Sequence, residues 1–189
     1  MKKSFLLLTL LWGALSAWAH DIEVDGIFYN LDVANKTATV TFRGDSYDAY
    51  DDEYAGDVVI PKAVTFGGIS YSVTSLGFYC FNNCSSLTSI TIPNSVTSLG
   101  DLCFAGCSSL SSITIPNSVT SLGDYCFEGC SSLTSIYMLP STPPSIKDEI
   151  FYDTPLETVY VVSENAKKAY QAQRPWEEYE IVVKPAGIK

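Results

Sequence analysis

A segment of about 23 residues is written three times in succession, and this restricts the chain to a narrow set of folds. It runs YSVTSLGFYCFNNCSSLTSITIP from Tyr71 to Pro93, NSVTSLGDLCFAGCSSLSSITIP from Asn94 to Pro116, and NSVTSLGDYCFEGCSSLTSIYMLP from Asn117 to Pro140. Cys80, Cys103 and Cys126 recur at this period, and so do Cys84, Cys107 and Cys130. One such unit cannot bury its own apolar side, whereas stacked units bury one another's. The period therefore predicts a β-rich (α+β repeat) solenoid.

The middle copy shows the expected anatomy. Ile113 and Ile115 alternate with polar neighbours, as in a short half-buried strand. Pro116 stops that strand and opens a turn. Val119 and Leu122 suggest a second short extended stretch. Leu99, Cys103, Cys107 and Leu110 are spaced for one face of a short helical turn, with Phe104 adding bulk. Gly77, Gly100 and Gly123 recur where the strand must turn into that helix. Asn83, Gly106 and Gly129 share tolerance of a left-handed backbone and are read as ending the helical turn. Val58–Pro61 reads as an earlier strand ending. Leu156, Val159 and Val161 match the later core pattern, with Ile150-Phe151 replacing Cys126-Phe127. About five strands follow, a stack of roughly 25 Å.

Residues 1–19 read as a secretory signal: Lys2 and Lys3, an apolar run from Phe5 to Leu15, and Ala17-Trp18-Ala19 at the cleavage site. His20 is the expected first mature residue, and no later run is long and apolar enough to insert in a membrane. Residues 20–189 are expected to form one structural domain. It comprises an N-terminal hairpin cap and first partial coil (20–70), three repeats (71–140), and a degenerate repeat with C-terminal cap (141–189). In the N-terminal cap, residues 22–43 read as a hairpin turning at Asn35-Lys36, and a second hairpin turns at Gly67-Gly68. In the C-terminal cap, a helix is expected from about Ala166 to Gln173, capped by Ser163 or Asn165, before Ile181–Val183 returns as a strand. The net charge of −10 grows more negative once Lys2 and Lys3 are removed. That argues against nucleic acid and anionic membrane as partners.

The pattern SVTSLG-x-x-C-F-x-x-CSSLTSITIP resembles the BspA-like leucine-rich repeats of secreted and surface proteins of Bacteroidetes-type bacteria. VDGIFYNLD and VYVVSENAKKAYQAQRPWEEY resemble that family's terminal caps. The resemblance implies a right-handed stack, exported and non-catalytic, acting in adhesion to a host or microbial surface protein or glycan. It implies no cofactor and no catalytic residue.

Within that frame the candidate binding strip is Ser89, Thr91, Ser112, Thr114, Ser135 and Tyr137, outward-pointing on the strand face. The bland reading is that Ser and Thr simply suit a solvent-facing strand. The six cysteines read as small buried hydrophobes stacked coil on coil, with disulfides or zinc as alternatives. Asp45, Asp48, Asp51, Asp52 and Glu53 are dense enough for calcium but do not follow the helix-loop-helix spacing; a solvated acidic loop is the simpler reading. Arg43-Gly44-Asp45 spells an integrin-recognition tripeptide, a motif short enough to recur by chance. The one histidine, His20, cannot build a triad with a second base. A purely structural exported protein, or a carboxylate-dependent glycan-processing enzyme, are the alternatives. A monomer is expected.

Overall fold

The computed structural model describes residues 20–44, 46, 52–146 and 149–184. The leader assigned above lies outside them. The chain opens with β1 (Ile22–Val24), β2 (Ile27–Asp32) and β3 (Thr37–Thr41). These pair antiparallel in sequence, so the expected hairpin over 22–43 is a three-stranded meander. β4 (Gly56–Val59) follows, then β5 (Ala63–Phe66) and β6 (Ile69–Leu76). β5 and β6 form the expected hairpin, with both Gly67 and Gly68 at positive φ, as a tight two-residue turn requires.

The repeats then supply two strands per coil. The longer ones are β7 (Leu87–Thr91), β9 (Ser112–Ile115), β11 (Ser135–Met138) and β13 (Thr158–Val161). The shorter ones, where Val119 and Leu122 pointed, are β8 (Ser98–Leu99), β10 (Ser121–Leu122) and β12 (Ser145–Ile146). The tail gives α1 (Glu164–Gln171) and β14 (Glu180–Val183). One sheet runs β1-β2-β3-β6-β8-β10-β12, with β5 against β6. On the other side of the coil, β4 pairs with β7, and β9-β11-β13-β14 form a parallel ladder. Among the described residues that makes six strands on this side, where about five were expected. β14 is the sixth, in register with β13 through Val159↔Ile181 and Val161↔Val183.

The expected helical turn is absent from the described repeats. Residues 101–106 form successive turns with bonds such as Cys107 N–H to the Phe104 carbonyl, three residues back. The remaining amides pair between coils: Phe81 N–H donates to Cys103 O at 2.9 Å and Phe104 N–H to Cys126 O at 2.8 Å. A helix would spend those groups within one coil, whereas the turns leave them for the next. Asn83, Gly106 and Gly129 do sit at positive φ (55°, 73° and 63°). So do Tyr79, Leu102 and Tyr125, which carry no sequence signal for it. Gly77, Gly100 and Gly123 do not have positive φ; they are glycines because neighbouring backbone passes too close for a Cβ.

The core is an aromatic spine. Phe81, Phe104, Phe127 and Phe151 stack with ring centroids 5.2, 5.5 and 5.5 Å apart. Tyr54 heads the stack at 4.7 Å from Phe81, and Trp176 closes it edge-on at 5.8 Å from Phe151. Tyr54 follows directly on the residues read as a solvated acidic loop, yet it belongs to the core. It is buried, its hydroxyl donates to the Thr41 carbonyl, and it accepts from Phe28 N–H. At the far end α1 starts at Glu164, two residues earlier than expected. Ser163, not Asn165, caps it, accepting from Ala166 N–H at 3.1 Å.

Candidate functional site

The alternation that buries Ile90, Ile113, Ile136, Val159 and Ile181 sends their neighbours outward. Strand register then sorts those neighbours into two columns. In the first, Asp57 lies beside Ser89, and Ser112, Ser135, Thr158 and Glu180 follow one another. In the second, Val59 lies beside Thr91, and Thr114, Tyr137, Tyr160 and Val182 follow one another. All six expected strip residues therefore lie on one side of the coil. Ser89, Thr91, Ser112 and Thr114 are exposed, while Ser135 and Tyr137 are half-buried. The strip is interrupted once, since no ladder joins β7 to β9 among the described residues.

One end of the strip is chemically distinct. Tyr137 and Tyr160 stack with centroids 4.7 Å apart. Lys184 Nζ sits 4.7 Å from one ring centre and 5.1 Å from the other, and donates to the Tyr137 hydroxyl at 3.2 Å. An ammonium over two aromatic rings is held by their electron-rich faces. The result is a hydroxyl floor ending at an aromatic pair with one cation. Sequence reasoning named Tyr137 and missed Tyr160, Thr158 and Lys184. The signal for Tyr160 was present: it stands between Val159 and Val161, already matched to the core pattern, so it must share the face of Tyr137.

The acidic segment is partly structural. Asp45, Asp48 and Asp51 lie outside the described residues, as does the Asp45 end of the Arg43-Gly44-Asp45 tripeptide. The Asp52 carboxylate accepts from Ser86 N–H (2.7 Å), Ser86 Oγ (2.8 Å) and Ser85 Oγ (3.0 Å), bonds that hold its pKa below the ordinary carboxylate value. Glu53 accepts from Arg43 N–H, and burial pushes its pKa up. Each of the two is thus already engaged within the protein. Among the described residues no three His, Cys, Asp or Glu side chains converge as a metal site.

The six cysteines are buried free thiols. Cys80 and Cys103 Sγ lie 3.4 Å apart, hydrogen-bonded as free thiols. Cys107 and Cys130 each donate at 3.1 Å to the carbonyl of the Phe one coil back, Phe81 and Phe104. Desolvation pushes the Cys84 and Cys130 thiols from about 9 up to about 12. Unfolded thiols lose their protons near the ordinary value while folded ones keep them, so the unfolded state binds fewer protons above it and stability falls with rising pH. The melting temperature is expected to hold up to pH 9.0 and to drop as pH approaches 12. The buried Tyr170 hydroxyl, also raised by desolvation, pushes the same way. A level or rising melting temperature over that interval contradicts this account.

Residues 63–172 match the family described as BspA type leucine rich repeat region, in six copies. The chain belongs to the BspA-type leucine-rich-repeat family. Among solved structures, a leucine-rich repeat protein from Bacteroides capillosus is 28% identical, with a TM-score of 0.61 over 75% of this chain and 98% of that one. A leucine-rich repeat protein from Bacteroides ovatus is 30% identical, with a TM-score of 0.65 over 88% of this chain. Only 42% of that longer protein is covered. The leucine rich repeat protein of T. pallidum shares the fold at 20% identity and a TM-score of 0.53. No curated protein matches the chain. Among the described residues no helix is long and apolar enough to cross a membrane. Membership of the BspA-type family fits a repeat-based interaction module.

Proposed function

We propose that this BspA-type chain is a secreted or cell-surface binding module. It engages a host or microbial surface protein or glycan, without catalysis, through the outward face of its longer strands. The Tyr137–Tyr160 pair beneath Lys184 carries this reading. Tyrosine offers a large rigid contact area at small entropic cost, which is why it dominates binding hot spots. Ser89, Thr91, Ser112, Thr114 and Ser135 supply hydroxyls that adapt to either kind of partner.

The enzymatic alternative would look to a groove beside β4, where Glu53 is raised by burial and Asp57 lies nearby. Glu53 accepts from the Arg43 amide, and Asp57 from the Thr88 and Ser89 hydroxyls, so both carboxylates serve the fold. The test is a panel of immobilised extracellular-matrix proteins and glycans, probed with the protein with and without calcium, and with released reducing sugar measured in parallel. Saturable, calcium-independent retention on at least one target, with no sugar release, is the expected result. Sugar release from any glycan overturns the non-catalytic reading. Retention only with calcium moves the site to the acidic segment.

A further inference from the structure

The outer edge of the two-stranded β4–β7 pair is a second surface, separate from the face that carries Tyr137. β4 is paired on one side only, with β7. Gly56 N–H donates to the Ser86 carbonyl and Ile60 N–H to the Thr91 carbonyl. Main-chain groups of a strand alternate in direction, so the amides and carbonyls of Asp57 and Val59 face away from β7. They meet no main-chain partner among the described residues. Such an edge is a template for another strand unless something blocks it.

Along this edge runs a groove of about 370 Å³, bounded on its far side by the β1–β2 turn at Val24–Ile27. Val59 stands 65% exposed at its rim. Among the described residues its walls carry Asp25, Glu53 and Asp57 and no Lys, Arg or His. Arg43 bonds Glu53 through its main-chain amide and its charge acts on that carboxylate from outside the groove lining, which leaves Asp57 as the carboxylate at the strand edge.

Charge also argues against the nearest candidate occupant, a second copy of this chain. β14 is the outer strand of the β9-β11-β13-β14 ladder, paired among the described residues with β13 alone, and Glu180 occupies there the column that begins with Asp57. A copy adding its β14 to β4 in the repeat register would set Glu180 beside Asp57. Like charges directly opposite on neighbouring strands are destabilising. The same column welcomes a cation.

We propose that the β4 edge takes up an extended peptide segment of another protein by strand addition. The segment carries Lys or Arg beside Asp57 and, two residues on, an apolar side chain beside Val59. Main-chain bonds to Asp57 and Val59 supply affinity, and the two side-chain positions supply selectivity. This surface is independent of the Tyr137 face, and either can fail without the other.

The probe is a fluorescent threonine heptapeptide carrying one lysine and, two residues later, one valine. Its control has glutamate in place of the lysine. Anisotropy titrations are expected to show saturable binding of the lysine peptide and about tenfold weaker binding of the control. The amides of Asp57 and Val59 gain protection from hydrogen exchange when the lysine peptide binds. Val59→Pro removes one outward amide while leaving the β7 bonds in place, and weakens binding about fivefold. Asp57→Lys, which does not depend on proline being tolerated, reverses the preference toward the glutamate peptide. No binding, equal binding of the two peptides, unchanged exchange at Asp57 and Val59, or an unreversed preference in Asp57→Lys would each overturn the proposal.

Discussion

Replacing Phe104 with alanine is expected to cost about 3–5 kcal/mol of stability, the range for emptying a fully buried aromatic site. Phe104 has no exposed surface and lies between Phe81 and Phe127, its ring nearly parallel to both at 5° and 2°. Its removal leaves a gap in the middle of the spine, bounded above and below by rings that cannot close it without breaking the coil spacing. The main chain around it is tied to both neighbouring coils, through Phe81 N–H to Cys103 O and Phe104 N–H to Cys126 O, so collapse is resisted. Urea unfolding should show a midpoint shifted in proportion, with an unchanged slope if the transition stays two-state. Ser112→Ala, on the exposed face, should shift it by less than about 0.5 kcal/mol. Equal shifts for the two variants would contradict the spine as the centre of stability.

Gly123→Ala is the second large effect, expected near about 3 kcal/mol, the upper end for overpacking. A Cβ at Gly123 would lie 2.3 Å from Asp101 N and 2.4 Å from the Gly100 carbonyl carbon. Both obstacles are main chain of the previous coil, and neither can swing aside. Gly100 meets the same wall, at 2.6 Å from the Gly77 carbonyl carbon. Gly67→Ala is the control: its Cβ meets nothing within 4 Å, so it bears only the strain of φ +58°. That strain is on the order of 1–2 kcal/mol. If Gly123→Ala proves milder than Gly67→Ala in thermal unfolding, coil-to-coil contact does not set the glycine.

These two cases show what a sequence can and cannot disclose in a repeat. The 23-residue period and the Ile113–Ile115 alternation made the stack, its strands and the burial of both cysteine columns legible, because periodic burial is written directly in residue type. The segment from Leu99 to Leu110 misled. Its spacing of apolar residues fits a helical face, but the same residues point inward from successive turns whose amides bond the next coil. Residue type records which side chain is buried and leaves open where its amide goes. Gly77, Gly100 and Gly123 were read as conformational for a similar reason, since glycine answers equally to positive φ and to close approach. Tyr54 was hidden by its acidic neighbours and is fixed by Thr41 and Phe28, contacts remote in sequence. At the candidate site, register was the missing link: Tyr137 was named, while Tyr160 and Lys184 join it only through the β11–β13 and β13–β14 pairings.

The central claim is that the outward face of the longer strands is where this protein meets its target. It is tested most directly by saturation binding to whichever immobilised target retains the protein, comparing the unaltered chain with Tyr137→Ala and Tyr160→Ala. The account predicts at least about a tenfold loss of affinity for each, the size of a binding hot spot, with melting temperatures near that of the unaltered protein because both side chains are half-buried and outside the core. Unchanged affinity in both variants, with the target still bound, would contradict it.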